Sequence, residues 1–281
     1  MEFLLLSDRA FLWLAAITYT VAFALALSSI LRKRQHSRKT LLAFVIAGFV
    51  LQTTGLYIRG HASGSCPLNN QFELMQFMGW STTLLYLVIG PAFRVSLLGF
   101  FTSAFVAIIL LVSLFVPEWD TAQTTSIFGT DHWIKAHASL ATFSYGVMGI
   151  LSLTSTMFLL QNRSLKKKNM GGLAPYLPSI LELEQINFRL LTFGLSLLTF
   201  SILVGAFYTS DPSSSSKLLI SGAIWIGYII IFILYKTRRF SSNNLAYTCI
   251  FLFIAAILSL GSVSNAIDHS EEIEEQVSPR E

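Results

Sequence analysis

The sequence predicts an all-α integral membrane protein with eight transmembrane helices and both termini extracytoplasmic. Three observations predict it. The chain of 281 residues is 53% apolar and only 12% charged, where a soluble domain carries roughly a quarter charged residues. Eight apolar runs recur along it, each near the ~20 residues that a helix needs to cross a hydrocarbon core. Finally, 14 of the 19 lysines and arginines fall in alternate loops, the sorting expected of cytoplasmic loops. The runs are too long and too uniformly apolar for the alternating strands of a membrane barrel.

The first run, 11–31, is followed by Arg32, Lys33 and Arg34. A cleaved signal peptide carries its basic residues ahead of a shorter apolar region, so this run reads as a retained span. Runs two and three, 41–57 and 72–89, flank the polar stretch Gly64-Ser65-Cys66-Pro67-Leu68-Asn69-Asn70. Proline and asparagine favour turns. The asparagines read either as caps for the third helix or as parts of a functional loop. Glu73 is the one formally charged residue inside a run. A charge beside hydrocarbon needs a partner, and His61 and Arg59 are the candidates.

The fourth run is 95–116 and the fifth 136–160. The fifth opens with Trp133-Ile134-Lys135-Ala136-His137. Imidazole at a membrane boundary serves as an axial ligand to haem iron, as a proton carrier or as an interfacial polar group. The long loop 161–189 contains Gly171-Gly172, Pro175 and Pro178, and its end, 179–188, reads as a short interfacial helix. Runs six and seven, 190–208 and 218–235, are joined by a small polar linker. The eighth, 245–264, leads to His269 and an acidic tail. Trp13, Trp119 and Trp133 read as interface aromatics, whereas Trp80 and Trp225 lie deeper, between helices.

This division gives a short extracytoplasmic N-terminus at 1–10, one membrane domain at 11–264 and a tail at 265–281 that is expected to be disordered. His61, His132, His137 and His269 lie on the outer side and only His36 on the cytoplasmic side. Two outward histidines at matching depth on separate helices offer one way to hold an iron from both sides. The pI near 9.1 does not indicate nucleic acid, because the basic residues flank membrane spans and form no patch on a folded domain. CxxC, CxxCH, Walker A, GxSxG and HExxH patterns are all absent, which excludes covalent c-type haem on this chain and the reactions those motifs carry. His132 and His137, five residues apart, are a poor helical zinc pair.

Three stretches together resemble the cytochrome c assembly protein family, which includes the CcsA/ResC, CcmC and HemX-type proteins. Gly60-His61 with Cys66-Pro67-Leu68-Asn69-Asn70-Gln71-Phe72-Glu73 resembles that family's Gly-His…Pro-Leu-Ser-Asn…Glu loop. Trp133 to His137, running on to Ser144-Tyr145, resembles its Trp-x-x-x-His…Ser-Tyr helix opening, and the eighth run ending in His269 resembles its closing helix. The family's tryptophan-rich loop is degenerate here. Gly205-Ala206-Phe207-Tyr208-Thr209-Ser210-Asp211-Pro212 keeps the opening glycine and the final Asp-Pro without the tryptophans, which places the chain nearest the HemX-type branch.

The resemblance implies a multi-pass protein of the cell inner (plasma) membrane that handles haem during c-type cytochrome biogenesis. It implies non-covalent haem b with His137 and His269 as axial ligands to the iron and His61 as a further contact. Pro67, Asn69, Glu73, Asp211 and Pro212 would shape the site loops. It implies no catalytic residue and no independent enzymatic activity, and a separate assembly partner with an extracytoplasmic domain. Two alternatives accompany it: a HemX-like regulator of tetrapyrrole synthesis acting by protein–protein contact, and a small-molecule transporter on the same scaffold.

The orientation is directly testable. Reporter fusions at Gln35, Lys167 and Ser241 are expected to read cytoplasmic, and fusions at Ser65, Thr124 and Ser214 to read outside. An outside signal at Lys167 would overturn the orientation.

Overall fold

The computed structural model describes residues 2–32, 38–64, 67–68, 70–92, 97–120, 132–168, 174–208 and 215–277. Among the described residues there are eight α-helices and no strand. They are α1 (Glu2–Leu31), α2 (Arg38–Ser63), α3 (Gln71–Ala92), α4 (Leu98–Phe115), α5 (His132–Lys166), α6 (Ile180–Tyr208), α7 (Ser215–Lys236) and α8 (Ser242–Val277). Two 3-10 turns, Pro117–Asp120 and Ala174–Tyr176, accompany them. Six helices are long and apolar enough to cross a membrane, and Ser221–Lys236 is a shorter apolar segment. This is a multi-pass membrane protein. α3 is not among the six because its opening turns carry Gln71, Glu73 and Gln76, all buried in the bundle.

The helices carry apolar residues on both faces, with polar residues set among them inside the bundle. On α1, Leu14, Ile17, Val21 and Leu25 are exposed, while Leu12, Ala15, Ala16, Tyr19 and Ala22 are buried. On α8 the exposed strip is Tyr247, Phe251, Ile254 and Leu258. Both strips recur every three or four residues, which keeps them on one helical face. Inside, by contrast, lie Gln52, Gln76, Ser81, Thr82, Thr102, Ser113, Thr142, Ser144 and Asn187. Lipid tails are as apolar as leucine, so burial alone cannot drive such helices together. Close packing and interhelical hydrogen bonds take its place.

Both devices are visible. α5 is central and packs on α3, α4, α6 and α8, while α1 packs on α2 and α4, and α7 on α6 and α8. At the α3–α5 crossing, a Cβ on Gly146 would stand 2.0 Å from Ser81 Oγ and 3.1 Å from the Thr82 amide nitrogen. Only a residue without a side chain allows that approach. A polar thread crosses four helices. Tyr19 Oη donates to Gln52 Oε1 (3.1 Å), Gln52 Nε2 to the Gln76 carbonyl (2.9 Å), and Gln76 Nε2 to Ser113 Oγ (2.9 Å). Trp80 Nε1 donates to Thr53 Oγ1 and Trp225 Nε1 to Thr199 Oγ1, each at 2.9 Å, so both deep tryptophans join neighbouring helices.

Two segments differ from the sequence reading. Residues 179–188 form no separate interfacial helix, because α6 runs unbroken from Ile180 to Tyr208. Ser179 starts it, with Oγ accepting from the Glu182 amide at 3.3 Å, as an N-cap does. Leu183, Ile186 and Leu190 then put a buried stripe on the same face as the rest of the span. The 265–281 tail, expected to be disordered, is helical as far as Val277. Ala266, Glu271, Glu272, Glu274, Glu275 and Gln276 are strong helix formers, and a helix extended from an existing span needs no new nucleus.

Gly146→Val should lower stability by about 1–3 kcal/mol or more through overpacking. A Cβ on Gly222 would meet nothing within 4 Å, so Gly222→Val is the matched control. Thermal unfolding in detergent that treats the two variants alike would contradict the α3–α5 crossing.

Candidate functional site at the histidine-bearing end

The starts of α1, α3 and α5 meet the ends of α2, α4 and α6 at one end of the bundle. Arg59, in the penultimate turn of α2, is its hub. Nε donates to Glu73 Oε1 at 2.6 Å, Nη1 donates to Asp8 Oδ2 at 3.0 Å, and Nη2 donates to Asp120 Oδ1. Arg9 Nε stands 3.6 Å from the second oxygen of Asp120. Both guanidiniums lie over the Phe72 ring, at 4.8 Å for Arg59 and 5.7 Å for Arg9, within cation–π range. α1, α2, α3 and the turn after α4 are therefore tied together at one point.

Glu73 is 4% exposed, and Arg59 is the ion partner it finds. His61 is elsewhere. It is exposed on the last turn of α2 and stacks on Tyr57, with ring centroids 6.2 Å apart and planes 7° from parallel. α3 packs on both α2 and α5, whereas α2 and α5 form no substantial interface among the described residues. His61 and His137 thus lie on helices that do not pack on one another among these residues. In the turn between α2 and α3, Asn70 Oδ1 accepts from the Glu73 amide at 2.8 Å, a helix cap. Pro67 is half-buried beside the buried Leu68. Asn69, Asp211 and Pro212 lie outside the described residues.

His137 occupies the second turn of α5 and points at α6. Nδ1 is 2.6 Å from the Ser201 carbonyl oxygen and 3.1 Å from Ser201 Oγ. Ser201 Oγ in turn donates to the His137 carbonyl at 2.9 Å. A carbonyl only accepts, so the short contact calls for the proton on Nδ1, and in the neutral ring Nε2 then carries the lone pair. A histidine whose other ring nitrogen is fixed by a backbone carbonyl is the usual form of a metal ligand. Gly205 makes room for the ring: a Cβ there would stand 2.7 Å from Cε1 and 2.8 Å from Nδ1.

His269 lies on α8, which packs on α5. Its side chain is outside the described residues. At ~1.5 Å per residue, His137 is about 40 Å along α5 from Lys166, and His269 about 40 Å along α8 from Ser242. The two backbone positions therefore sit at similar height above the opposite end.

Residues 68–267 match the cytochrome C assembly protein family. The chain belongs to that family. Its members with measurable similarity include Protein HemX of Brevibacillus brevis, 28% identical over 196 residues, which are 69% of this chain and 72% of that protein. Cytochrome c biogenesis protein CcsA of Chlamydomonas reinhardtii is 28% identical over 165 residues, 57% of this chain and 46% of that protein. Protein NrfI of Wolinella succinogenes is 30% identical over 168 residues, 58% of this chain but 17% of its own length. The chain thus spans most of the first relative and less than half of the other two. The family read from three motifs is the family that matches, and the matched region contains Glu73, His137 and Gly205 but neither His61 nor His269.

Asp8, Asp120 and Ser201 carry much of this geometry and escaped the sequence reading. Asp8 and Asp120 flank apolar runs, and their position at the Arg59 end was the available signal. Ser201 is one hydroxyl among many in apolar helices and gives no signal.

Removing Arg59 would leave three carboxylates without their shared cation, and breaking a buried pair costs about 3–5 kcal/mol. Arg59→Met should therefore be far more damaging to folded yield than Glu73→Gln, whose amide oxygen still accepts from Nε. Glu73→Leu should fall between them. Equal, negligible losses from all three in detergent-purified yield would show the cluster to be a solvated surface.

Proposed function

We propose that this chain handles haem during the assembly of c-type cytochromes, as an eight-span membrane protein with both termini on the outer face. The observation that carries the reading is His137, with Nδ1 committed to the Ser201 carbonyl so that, in the neutral ring, the Nε2 lone pair is available. The donor chemistry fits haem, whose iron takes imidazole on its axial sites when bound. His137 would supply one ligand and His269 the second, supported by their similar height on packed helices. Membership of the cytochrome c assembly family supports the biological setting, as do relatives named for cytochrome c biogenesis.

The chain's own contributions follow from the geometry. Ser201 holds the imidazole tautomer and orientation, and Gly205 provides the space for the ring. The Arg59 cluster fixes α3 against α1 and α2, and α5 packs on α3. A separate partner with an extracytoplasmic domain belongs to the same reading. A second reading rests on the match to HemX, which spans most of both chains: regulation of tetrapyrrole synthesis by protein–protein contact at the basic end.

The test is an absorption spectrum of detergent-purified protein reconstituted with haem. Wild type is expected to give a low-spin, six-coordinate spectrum. His137→Ala and His269→Ala should lose the haem or leave it high-spin. Gly205→Ala should weaken binding by displacing the ring, and His132→Ala should do little. A wild-type protein that takes up no haem would overturn the proposal and leave the regulatory reading in front.

A further inference from the structure

Arg189 is an unusual residue for its position. It lies on α6 inside the stretch Ile180–Phe207, which is apolar enough to cross a membrane. At ~1.5 Å per residue it is about 13 Å from the helix start. Its side chain is exposed, and it makes no hydrogen bond or ion pair among the described residues. Arg59 and Glu184, by contrast, are engaged. Arg59 has three carboxylates, and Glu184 accepts from Tyr235 Oη at 2.5 Å and Ser242 Oγ at 2.7 Å. Arg189 thus closes the polar opening of α6 just before its apolar run, a level at which basic side chains attract anionic headgroups.

A cleft of about 140 Å³ lies beside it, lined by Ile89, Ile186, Arg189, Leu190 and Phe193. Its origin is geometric. α3 and α6 each pack on α5 but form no substantial interface with one another. A groove therefore remains between them. Ile89 is within one turn of the end of α3, so the groove sits where acyl chains meet headgroups. Apart from Arg189, its lining is entirely apolar.

We propose that this cleft binds one anionic phospholipid. Arg189 holds the phosphate through its planar fork, the geometry that suits guanidinium to phosphate. Gln185, one turn nearer the helix start and exposed, adds a donor on the same stripe. The upper part of an acyl chain lies against Ile89, Leu190 and Phe193. Glu182, exposed two turns from Arg189 on that stripe, repels further negative charge. The site therefore takes a monoanionic headgroup, as in phosphatidylglycerol, in preference to a multiply charged one. Basic pockets between transmembrane helices are established places for anionic headgroups. The proposal stands independently of the haem reading.

The test uses the full chain in detergent, titrated with phosphatidylglycerol, phosphatidylcholine or inorganic phosphate, with bound lipid counted by native mass spectrometry and stability followed by thermal unfolding. Phosphatidylglycerol is expected to bind saturably as one retained molecule and to raise the unfolding temperature above the phosphatidylcholine value. Loss of a charged hydrogen-bond partner should weaken it about tenfold or more in Arg189→Gln. Arg189→Lys should keep part of the response, and Arg163→Gln, a basic residue at the same end outside the cleft, should keep all of it. Phe193→Trp, which crowds the cleft while leaving Arg189 in place, should also weaken binding. Equal responses to phosphatidylglycerol and phosphatidylcholine would overturn the proposal. So would an unchanged response in Arg189→Gln, or full reproduction of the effect by inorganic phosphate.

Discussion

The Arg59 guanidinium is where four segments of the chain meet. One side chain bonds Asp8 on α1, Glu73 on α3 and Asp120 after α4, while being itself part of α2. Three buried carboxylates could not be tolerated together without it, and an arginine could not be buried there without them. Neither half of the cluster has an independent reason to exist. Such an arrangement contributes little net stability over an apolar substitute. What it supplies is a common meeting point for α1, α2, α3 and the turn after α4. α3 is fixed by it, and α5, which carries His137, packs on α3.

Below that cluster the same rule operates with neutral groups. The thread from Tyr19 through Gln52 and Gln76 to Ser113 joins α1 to α4 with hydrogen bonds that lipid cannot supply. At the opposite end, Glu184 draws together α6, α7 and α8. The bundle is thus pinned by polar contacts at both ends and through its middle. Its apolar surface is left for the bilayer. Arg189 is an exposed charge that this scheme does not absorb, and it lines a cleft.

Much of this was legible in the sequence. The apolar runs located each helix, because a span's length is set by bilayer thickness and not by local detail, but α1 begins at Glu2, α6 at Ile180, and α8 continues to Val277, well beyond the runs. Glu73 was recognisable as a charge in need of a partner, and Arg59 was one of the two named. His61 was the other, and the structure turns it away onto Tyr57. The sequence could not separate the two because both lie on the last turns of one helix, and which faces α3 depends on packing. The interfacial helix at 179–188 was misread for a related reason. Its charges suggested a surface element, while Leu183 and Ile186 continue the buried stripe of the span behind them. Ser201 and its carbonyl were invisible, since a backbone acceptor leaves no mark on the sequence.

The functional reading converges on His137. Its position at the head of α5 could have been a passive interfacial one. The contact with the Ser201 carbonyl and the notch at Gly205 hold the ring in one orientation, the one the proposed haem ligand needs. The most direct measurement is the tautomer of that ring, read by solid-state NMR of the membrane-reconstituted protein with ¹⁵N-labelled histidine, His137→Asn providing the assignment. The account predicts a protonated Nδ1 and an unprotonated Nε2 before haem is added, with Nε2 shifting when haem is supplied. A proton found on Nε2, with Nδ1 free, would contradict it.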